Sequence, residues 1–254
     1  MKITIIGNGI MAQSLALGLA RTYEIQMIGR DIKKLELIKE KLPSIEIKQL
    51  EDKEDISGKN ILFCVKPFAL ESISARLVGE ANSLISILAG TTLEFLRKNI
   101  KAKSYIRAMP NIAASVHQSM TTLVGDLDEK KLANEIFSKI GQTVWLNTEY
   151  QLDIATAVAG SGPAYLALIA EALADAAVKE GIERHIANHL VQGLFLGTSL
   201  LLKDSKPSFI KDSVMSPGGT TAAGYAALEE YGVRNAMIKA IESSYGKAKE
   251  LSKK

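Results

Sequence analysis

The sequence is poor in cysteine and aromatic residues, and these shortages narrow the classes of protein it can belong to. Of its 254 residues one is cysteine, and Phe, Trp and Tyr together make up 6%. A single cysteine, Cys64, cannot form a disulfide within the chain, which fits a reducing compartment. It lies in the apolar run NILFCV, where a buried strand thiol is expected.

Long runs of like charge and long apolar runs are also missing. The 31 Lys and Arg residues against 28 Asp and Glu give a net charge of +3, spread along the chain, so nucleic acid is not an expected partner. The longest apolar stretch, residues 190–202, is too short and interrupted to span a bilayer. The N-terminus lacks the apolar core of a signal peptide. We therefore predict a cytoplasmic protein without membrane contact.

The two parts of the chain have different patterns. The first part alternates strand-length apolar runs with amphipathic segments, which is typical of α/β structure with a mostly parallel sheet. These runs are KITIIG, EIQMIG, NILFCV, LISIL and SYIRAM. The later part has helical spacing only, with Gly181 and Gly232 placed to end helices. The sequence thus predicts an α/β domain over residues 1–150 and an all-α domain over residues 151–254.

One predicted helix of the second part has a broad apolar face. So large a face in a domain of about 100 residues indicates burial against a second subunit, with the core of a monomer as the alternative. Its apolar residues are Ile186, Leu190, Val191, Leu194, Phe195, Leu201 and Leu202.

A glycine motif opens the chain. ITIIGNGIMA places Gly7, Gly9 and Ala12 in a G-x-G-x-x-A pattern directly after a strand and at the start of a helix. Gly7 permits a tight turn, Gly9 lets the backbone approach a pyrophosphate, and Ala12 keeps helix and strand close. The motif favours dinucleotide binding over a merely structural turn.

Arg30 follows the second predicted strand, where the ribose of a dinucleotide is expected. A guanidinium there suits a 2'-phosphate, so NADPH is the expected cofactor. The next residue, Asp31, keeps NADH possible, because it is either a ribose acceptor or the N-cap of the following helix.

Two further strand ends point to the same crevice, since ligands of open α/β sheets bind beyond the carboxyl ends of strands. One is the VKP stretch with Lys66 and Pro67, and the other is MPN with Pro110 and Asn111. A solvated lysine and a simple turn are the respective alternatives.

The stretch SPGGTT, residues 216–221, interrupts the helical part. It ends one helix and starts another, and its hydroxyl groups suit an N-cap. Alternatively, its glycines leave helix-start N–H groups open to a carboxylate or phosphate. The residues of this stretch alone leave both interpretations open.

Taken together, the motifs resemble those of the pyrroline-5-carboxylate reductase family over essentially the whole chain. The stretches that carry the resemblance are GNGIMA, CVKPF, SILAGTTLEFL, RAMPN, AVAGSGPAYLALIAEALADAAVKEGI and SPGGTTAAGYAALEEYGVRNAMIKAIE. The resemblance implies reduction of 1-pyrroline-5-carboxylate to L-proline by NADPH or NADH. It also implies a Rossmann-like domain followed by an all-α dimerisation domain, and a homodimer or a larger assembly of dimers.

The resemblance further implies which residues form the site, with Thr221 as the catalytic residue that reaches the ring nitrogen. The implied substrate-binding residues are Val214, Ser216, Gly218, Gly219, Thr220 and Thr221. The implied cofactor-binding residues are Gly7, Asn8, Gly9, Ile10, Met11, Arg30, Val65, Lys66, Pro67 and Asn111.

Departures from the family and competing interpretations are few. Lys206 stands where the family often has histidine before proline, and Ala159 where it usually has serine. A β-hydroxyacid dehydrogenase would have lysine and asparagine where this chain has Leu166 and Ala170 after Gly162. Another imine or keto-acid reductase of the same plan, or an NADPH-sensing regulator, is the remaining alternative. No metal site is expected, because the spacing of the histidines offers no third ligand.

Overall fold

The computed structural model describes residues 1–251, which pack into two compact units. The first unit consists of residues 1–161 together with the chain from Ser243 onward, and the second is Gly162–Glu242. The domain bounds expected from the sequence, 1–150 and 151–254, differ from the bounds of these two packed units and stay predictions.

A sheet of eight strands in the described residues forms the centre of the first unit, in the order β10-β9-β8-β7-β5-β1-β2-β3. All neighbours pair in parallel except β8 and β9, which are antiparallel. A separate parallel pair joins β4 and β6. The strands are β1 Lys2–Ile6, β2 Glu24–Gly29, β3 Glu46–Gln49, β4 Glu54–Asp55, β5 Asn60–Phe63, β6 Leu77–Val78, β7 Ser83–Ser86, β8 Tyr105–Met109, β9 Ser119–Gly125 and β10 Gly141–Trp145. The mostly parallel α/β fold is thereby confirmed.

Helices connect the strands, and in the described chain after β10 all regular secondary structure is helical. Side-chain caps start several of them: Asp31 accepts from the Lys34 N–H at α2, and Thr92 from the Phe95 N–H at α4. The helices are α1 Ile10–Leu19, α2 Ile32–Lys41, α3 Leu70–Ser74, α4 Leu93–Asn99, α5 Lys130–Ser138, α6 Glu149–Ala155, α7 Gly162–Lys179, α8 Arg184–Asp204, α9 Pro207–Val214, α10 Thr220–Glu230 and α11 Val233–Leu251. Gly181 and Gly232 follow helix ends with positive φ, as expected.

Apolar residues cover both faces of the sheet. Along β1, Ile3 and Ile5 join one buried cluster with α1, and Ile6 joins a second cluster with Phe63 on the other face. Because successive strand residues point to opposite faces, this alternation requires helices on both sides.

The end of α11 completes the first unit. The Tyr245 ring meets Tyr150 edge to face with centroids 5.8 Å apart, and the hydroxyl groups of Ser244 and Ser161 lie 3.1 Å apart. Ala248 is buried there. The first unit is therefore built from two separate stretches of chain.

The second unit has almost no core of its own. Of residues 162–242, Ala174 and Ala187 are buried. Large apolar side chains instead face outward along α7 and α8, and Leu194 and Leu196 are 55% and 63% exposed. Two buried alanines remove too little apolar surface from water to offset the entropy of ordering four helices. The helices therefore need a further surface to pack against.

One continuous helical run, Glu149–Lys179, has the length and mean hydropathy, 1.4, of a membrane-crossing helix. It is longer than the apolar stretch 190–202 because a π turn, Thr156–Gly160, joins α6 to α7. This run resembles a membrane-crossing helix in length and composition only, and core helices of other proteins have the same two properties. The absence of membrane contact therefore stays a prediction.

Strands β3, β9 and β10 were not expected from the sequence. β3 (EIKQ) and β10 (GQTVW) are at most partly buried and have few apolar residues, and β9 contains Thr121 and Thr122 in place of a continuous apolar run. Pairing within the sheet, and not hydrophobicity, defines these strands.

The exposed apolar face predicts that stability depends on protein concentration. We expect the unfolding temperature to fall on dilution, and Leu194→Glu to weaken self-association at least tenfold, since burying a leucine contributes about 1.5–3 kcal/mol. Leu37→Glu is the matched control, because Leu37 is similarly exposed, at 58%, on α2 of the first unit. Light scattering and melting curves over a dilution series measure both effects, and a stable monomer with an unchanged melting temperature would contradict the prediction.

Candidate functional site

The strand order reverses between β1 and β5. From β1 the chain continues to β2 and β3 on one side, and then crosses to β5, β7 and β8 on the other. The connections at this point leave in opposite directions, which opens a crevice beyond the carboxyl ends of the two strands. A pocket lies there, and it is lined by Ile6, Gly7, Asn8, Gly9, Ile28, Gly29, Arg30, Leu50, Cys64, Val65, Lys66, Ala69 and Ile73.

Gly7 and Gly9 have different steric roles at this pocket. Gly7 has φ +134°, and a Cβ on it would overlap the carbonyl oxygen of Cys64. Its N–H donates to the Ile28 carbonyl at 2.8 Å. Gly9 has φ −77° and open space around the position of a Cβ. Gly7 is therefore required by the fold, whereas Gly9 leaves room beside the first turn of α1.

Asn8 and Arg30 occupy the side of the pocket next to β2. The Asn8 amide donates to the Asp31 carbonyl at 3.2 Å, and the Asn8 carbonyl accepts from the Gln13 side chain at 3.3 Å. Arg30 is exposed at the end of β2. The carboxylate of Asp31 caps α2 through the Lys34 N–H, which supports the N-cap alternative for this residue.

Six of the residues expected to bind the cofactor line this pocket: Gly7, Asn8, Gly9, Arg30, Val65 and Lys66. Ile10, Met11, Pro67 and Asn111 are not part of its lining among the described residues. Ile10 is 76% exposed in the first turn of α1. Pro67 begins a 3-10 turn that Lys66 precedes.

Asn111 uses both polar groups of its side chain within the first unit. Its Oδ1 accepts from the Ala113 N–H and its Nδ2 donates to the Ala159 carbonyl, each at 3.0 Å. A contact of Asn111 with the nicotinamide stays a prediction. The Asn111 amide has a second N–H on Nδ2, which these two bonds do not use.

A buried arginine in the first unit was not expected from the sequence. Arg107 in β8 is 1% exposed at its side chain and pairs with Glu149 and Asp153, each at 2.9 Å. A charged residue in the middle of the apolar run SYIRAM is the sequence signal that could have indicated it, because buried charges need partners.

The SPGGTT stretch forms the loop between α9 and α10 in the second unit. Val214 ends α9, Thr220 and Thr221 begin α10, and the Gly219 N–H donates to the Ser216 carbonyl at 3.0 Å. Gly218 has φ +69°. The N-cap of α10 is Gly219, without a side-chain cap. The first N–H groups of α10 therefore lack the hydroxyl cap that the simpler interpretation expects.

Of the remaining reactive groups, Cys64 is buried, and His117 and His185 each contact another residue of the chain. Burial raises the pKa of the Cys64 thiol. The His117 ring bonds through Nδ1 to the Lys139 carbonyl at 2.9 Å, and His185 lies 3.3 Å from Glu183. Within residues 1–251, no group of three or more His, Cys, Asp or Glu residues is arranged to hold a metal ion.

Two family models match the chain. Residues 149–251 match a model described as pyrroline-5-carboxylate reductase dimerisation. Residues 2–90 match a model described as NADP oxidoreductase, coenzyme F420-dependent.

Curated relatives match over the full length. The pyrroline-5-carboxylate reductase of Synechocystis sp. is 38% identical over 266 residues, which cover 100% of this chain and 99% of the relative. That of Thermus thermophilus is 32% identical over 99% of this chain and 98% of the relative.

Solved structures agree with these relatives. A 1-pyrroline-5-carboxylate reductase of Streptococcus pyogenes superposes with a TM-score of 0.87 at 31% identity, covering 98% of each chain. A pyrroline carboxylate reductase of Plasmodium falciparum, solved with NADP bound, gives 0.84 at 27% identity, covering 99% of this chain and 100% of that one.

The geometry predicts opposite outcomes for the two glycines of the pocket. Gly7→Ala should destabilise the fold by about 1–3 kcal/mol, because its conformation and the Cys64 carbonyl both oppose a side chain. Gly9→Val should leave the melting temperature nearly unchanged and weaken NADPH binding at least about tenfold, equivalent to about 1.4 kcal/mol. Melting curves and fluorescence titration of NADPH measure the two effects, and equal NADPH affinity in Gly9→Val would refute a nucleotide approach at this position.

Proposed function

The chain belongs to the pyrroline-5-carboxylate reductase family, and we propose that its two units share the reduction of 1-pyrroline-5-carboxylate to L-proline. The first unit binds NADPH, and the second holds the substrate. The proposal rests on sequence identity with pyrroline-5-carboxylate reductases, which is 38% and 32% over 100% and 99% of this chain for the two relatives named above.

The pocket between β1 and β5 is the proposed dinucleotide site. Its position at the reversal of strand order is the position of such sites in open α/β sheets. The open space at Gly9 and the N-terminus of α1 favour a pyrophosphate, since helix-start N–H groups bind anions. Asn8, Ile10 and Met11 are assigned to the phosphates, and Val65, Lys66, Pro67 and Asn111 to the nicotinamide side.

NADPH is the preferred donor in this proposal. Arg30 lies exposed at the end of β2, where a guanidinium can pair with a 2'-phosphate. The carboxylate of Asp31, which would have suited NADH as a ribose acceptor, already caps α2. NADH remains the weaker donor.

The loop between α9 and α10 is the proposed substrate site. Its tight turn at Gly218 and Gly219 leaves the helix-start N–H groups of α10 without a side-chain cap, and a substrate carboxylate would satisfy them. The assigned substrate-binding residues are Val214, Ser216, Gly218, Gly219, Thr220 and Thr221. Thr221 is the proposed catalytic residue, with its hydroxyl directed to the ring nitrogen.

The chemistry requires little from the protein beyond binding and orientation. NADPH supplies the hydride. Helix-start N–H groups hold the substrate carboxylate, and the Thr221 hydroxyl orients the ring nitrogen, so the imine carbon is presented on one face. An imine that binds already protonated needs no general-acid histidine, which fits the structural surroundings of His117 and the exposure of His185.

A homodimer is the proposed assembly, and larger assemblies of dimers are compatible with it. The dimerisation model spans residues 149–251, which include the exposed leucines of α7 and α8. A second copy would also cover much of the apolar surface of the helical run Glu149–Lys179. The cytoplasm is the proposed location, supported by the single buried cysteine.

An NADPH-sensing regulator is the competing function, and one assay separates it from the reductase. The full chain is given NADPH with and without 1-pyrroline-5-carboxylate, and absorbance and proline are measured. A reductase oxidises NADPH and forms proline only with the imine. A sensor binds NADPH and oxidises none, which would overturn the proposal.

Arg30→Ala tests the cofactor preference. A lost charge-assisted bond to the 2'-phosphate costs about 1.5–3 kcal/mol, so the Kd of NADPH should rise at least tenfold while that of NADH changes little. Arg21→Ala removes the same charge at the other end of α1 and should leave both constants unchanged. Equal NADPH affinity in the wild type and Arg30→Ala would exclude the assignment.

Thr221→Ala tests the substrate loop. Removing a hydrogen bond to a charged ligand costs about 1.5–3 kcal/mol, so kcat/KM for the imine should fall at least tenfold with NADPH affinity and melting temperature nearly unchanged. Ser213→Ala is the control, because the Ser213 hydroxyl bonds the Ile210 carbonyl in α9. If Thr221→Ala changed the melting temperature and left the imine kinetics intact, Thr221 would have a structural role only.

A further inference from the structure

The loop between α9 and α10 is flanked by two helices that have no buried side chain. Residues 207–230 comprise both helices and the loop, the structure describes all of them, and none of the α9 or α10 side chains is buried. A loop keeps its shape only if the helices on both sides of it are held in place, and a buried apolar core does not hold these two. Polar and aromatic side chains of residues 211–234 join them instead.

Tyr225 lies on the same side of α10 as Thr221. The two residues are four positions apart, and Glu229 follows four positions later, so the three side chains succeed one another along one side of the helix. This series starts at the loop. A rotation of α10 that moves Tyr225 and Glu229 therefore also turns Thr221 and the first N–H groups of the helix.

Arg234, in the first turn of α11, bonds both of the lower side chains of this series. Its Nη2 donates to the Tyr225 hydroxyl at 2.7 Å, and its Nε donates to the two Glu229 oxygens at 3.1 and 3.2 Å. The Arg234 guanidinium holds the pKa of the Glu229 carboxyl below its usual range, so this pair stays charged at neutral pH. A planar guanidinium that reaches two successive turns restricts the rotation of α10.

Lys211 contacts the same tyrosine from the helix before the loop. Its Nζ lies 5.4 Å from the centroid of the Tyr225 ring, a distance at which a cation is attracted to the face of the ring. The ring of Tyr225 thus contacts α9, and its hydroxyl bonds α11. One side chain of α10 links the helix before the loop to the helix that follows α10.

We propose that Tyr225 is a positioning residue for the substrate: by joining α9, α10 and α11 it fixes the direction in which the first N–H groups of α10 point. This inference rests on the proposed function, in which those N–H groups hold the substrate carboxylate. Tyr225 does not touch the substrate in this assignment and acts through the backbone of residues 219–221. All of the contacts named lie inside the second unit. Hydrogen bonds weaken steeply when their angles depart from linear, so a small rotation of α10 would weaken binding of the carboxylate.

Tyr225→Phe is the central variant, because it removes the hydroxyl bond to Arg234 and keeps the ring that Lys211 contacts. We expect the KM for 1-pyrroline-5-carboxylate to rise about fivefold, while kcat and the Kd of NADPH change less than about twofold. This split follows because a carboxylate held equally in the ground state and the transition state affects KM and not kcat. Amide hydrogen exchange at residues 223–226 should become faster.

Tyr231→Phe is the matched control. It makes the same change at a tyrosine that is 83% exposed at the end of α10, outside the contacts of Arg234 with Tyr225 and Glu229. It should leave the KM for the imine and the hydrogen exchange unchanged. Tyr225→Leu removes ring and hydroxyl together, and it should raise the KM further than Tyr225→Phe does.

A double-mutant cycle with Arg234→Lys tests whether the hydroxyl acts through the guanidinium. A lysine can keep an ion pair with Glu229, but it has no second nitrogen with which to reach Tyr225. Arg234→Lys should raise the KM by about the same factor as Tyr225→Phe, and the double variant should raise it no further. Effects that multiply in the double variant would show that the two groups act independently, and the proposed link would be wrong.

Further outcomes separate this proposal from a structural role and from the proposed function. Light scattering should give the same mass for Tyr225→Phe and the wild type, whereas a lower mass would place the effect in self-association and contradict the positioning role. A lower melting temperature with an unchanged KM would leave Tyr225 a structural role only. If the wild type oxidises no NADPH with the imine, the proposed function fails, and the hydrogen exchange of Tyr225→Phe still tests whether Tyr225 holds α10.

Discussion

The close approach of the chain at Gly7 is the constraint on which the nucleotide end of the molecule depends. Gly7 lies against the Cys64 carbonyl while its N–H bonds the end of β2, and Cys64 in turn bonds the Ile6 carbonyl at 2.8 Å. The ends of three neighbouring strands, β1, β2 and β5, are therefore in contact at Gly7, which has no side chain. The turn with positive φ that follows from this leaves the loop before α1 beside the crevice.

The second unit depends on a different kind of constraint. Its helices bury two alanines among themselves and expose their leucines, so their order has to come from surfaces beyond residues 162–242. The loop between α9 and α10 is part of this unit. In the proposed dimer, formation of the substrate loop and assembly of the protein would consequently be one event and not two.

The features that depend on a few neighbouring residues were predictable from the sequence. The glycine motif, the breaker residues before α10 and the two glycine helix ends each act over a few residues, so their placement followed from the sequence alone. Strands β9 and β10 did not follow, because partners in the sheet define them. The Asn111 bond to Ala159 joins residues 48 positions apart, so no local pattern of the sequence indicates it.

The first unit includes the end of α11, and this has a consequence for synthesis. The residues that pack against Tyr150 and Ser161 leave the ribosome only after the whole helical unit has been made. Domains near the N-terminus generally fold while the rest of the chain is still being made. Here the sheet can form early, but the unit around it stays unfinished until the helical unit has been made, so the nucleotide-binding unit is completed only after the unit that the chain inserts into it.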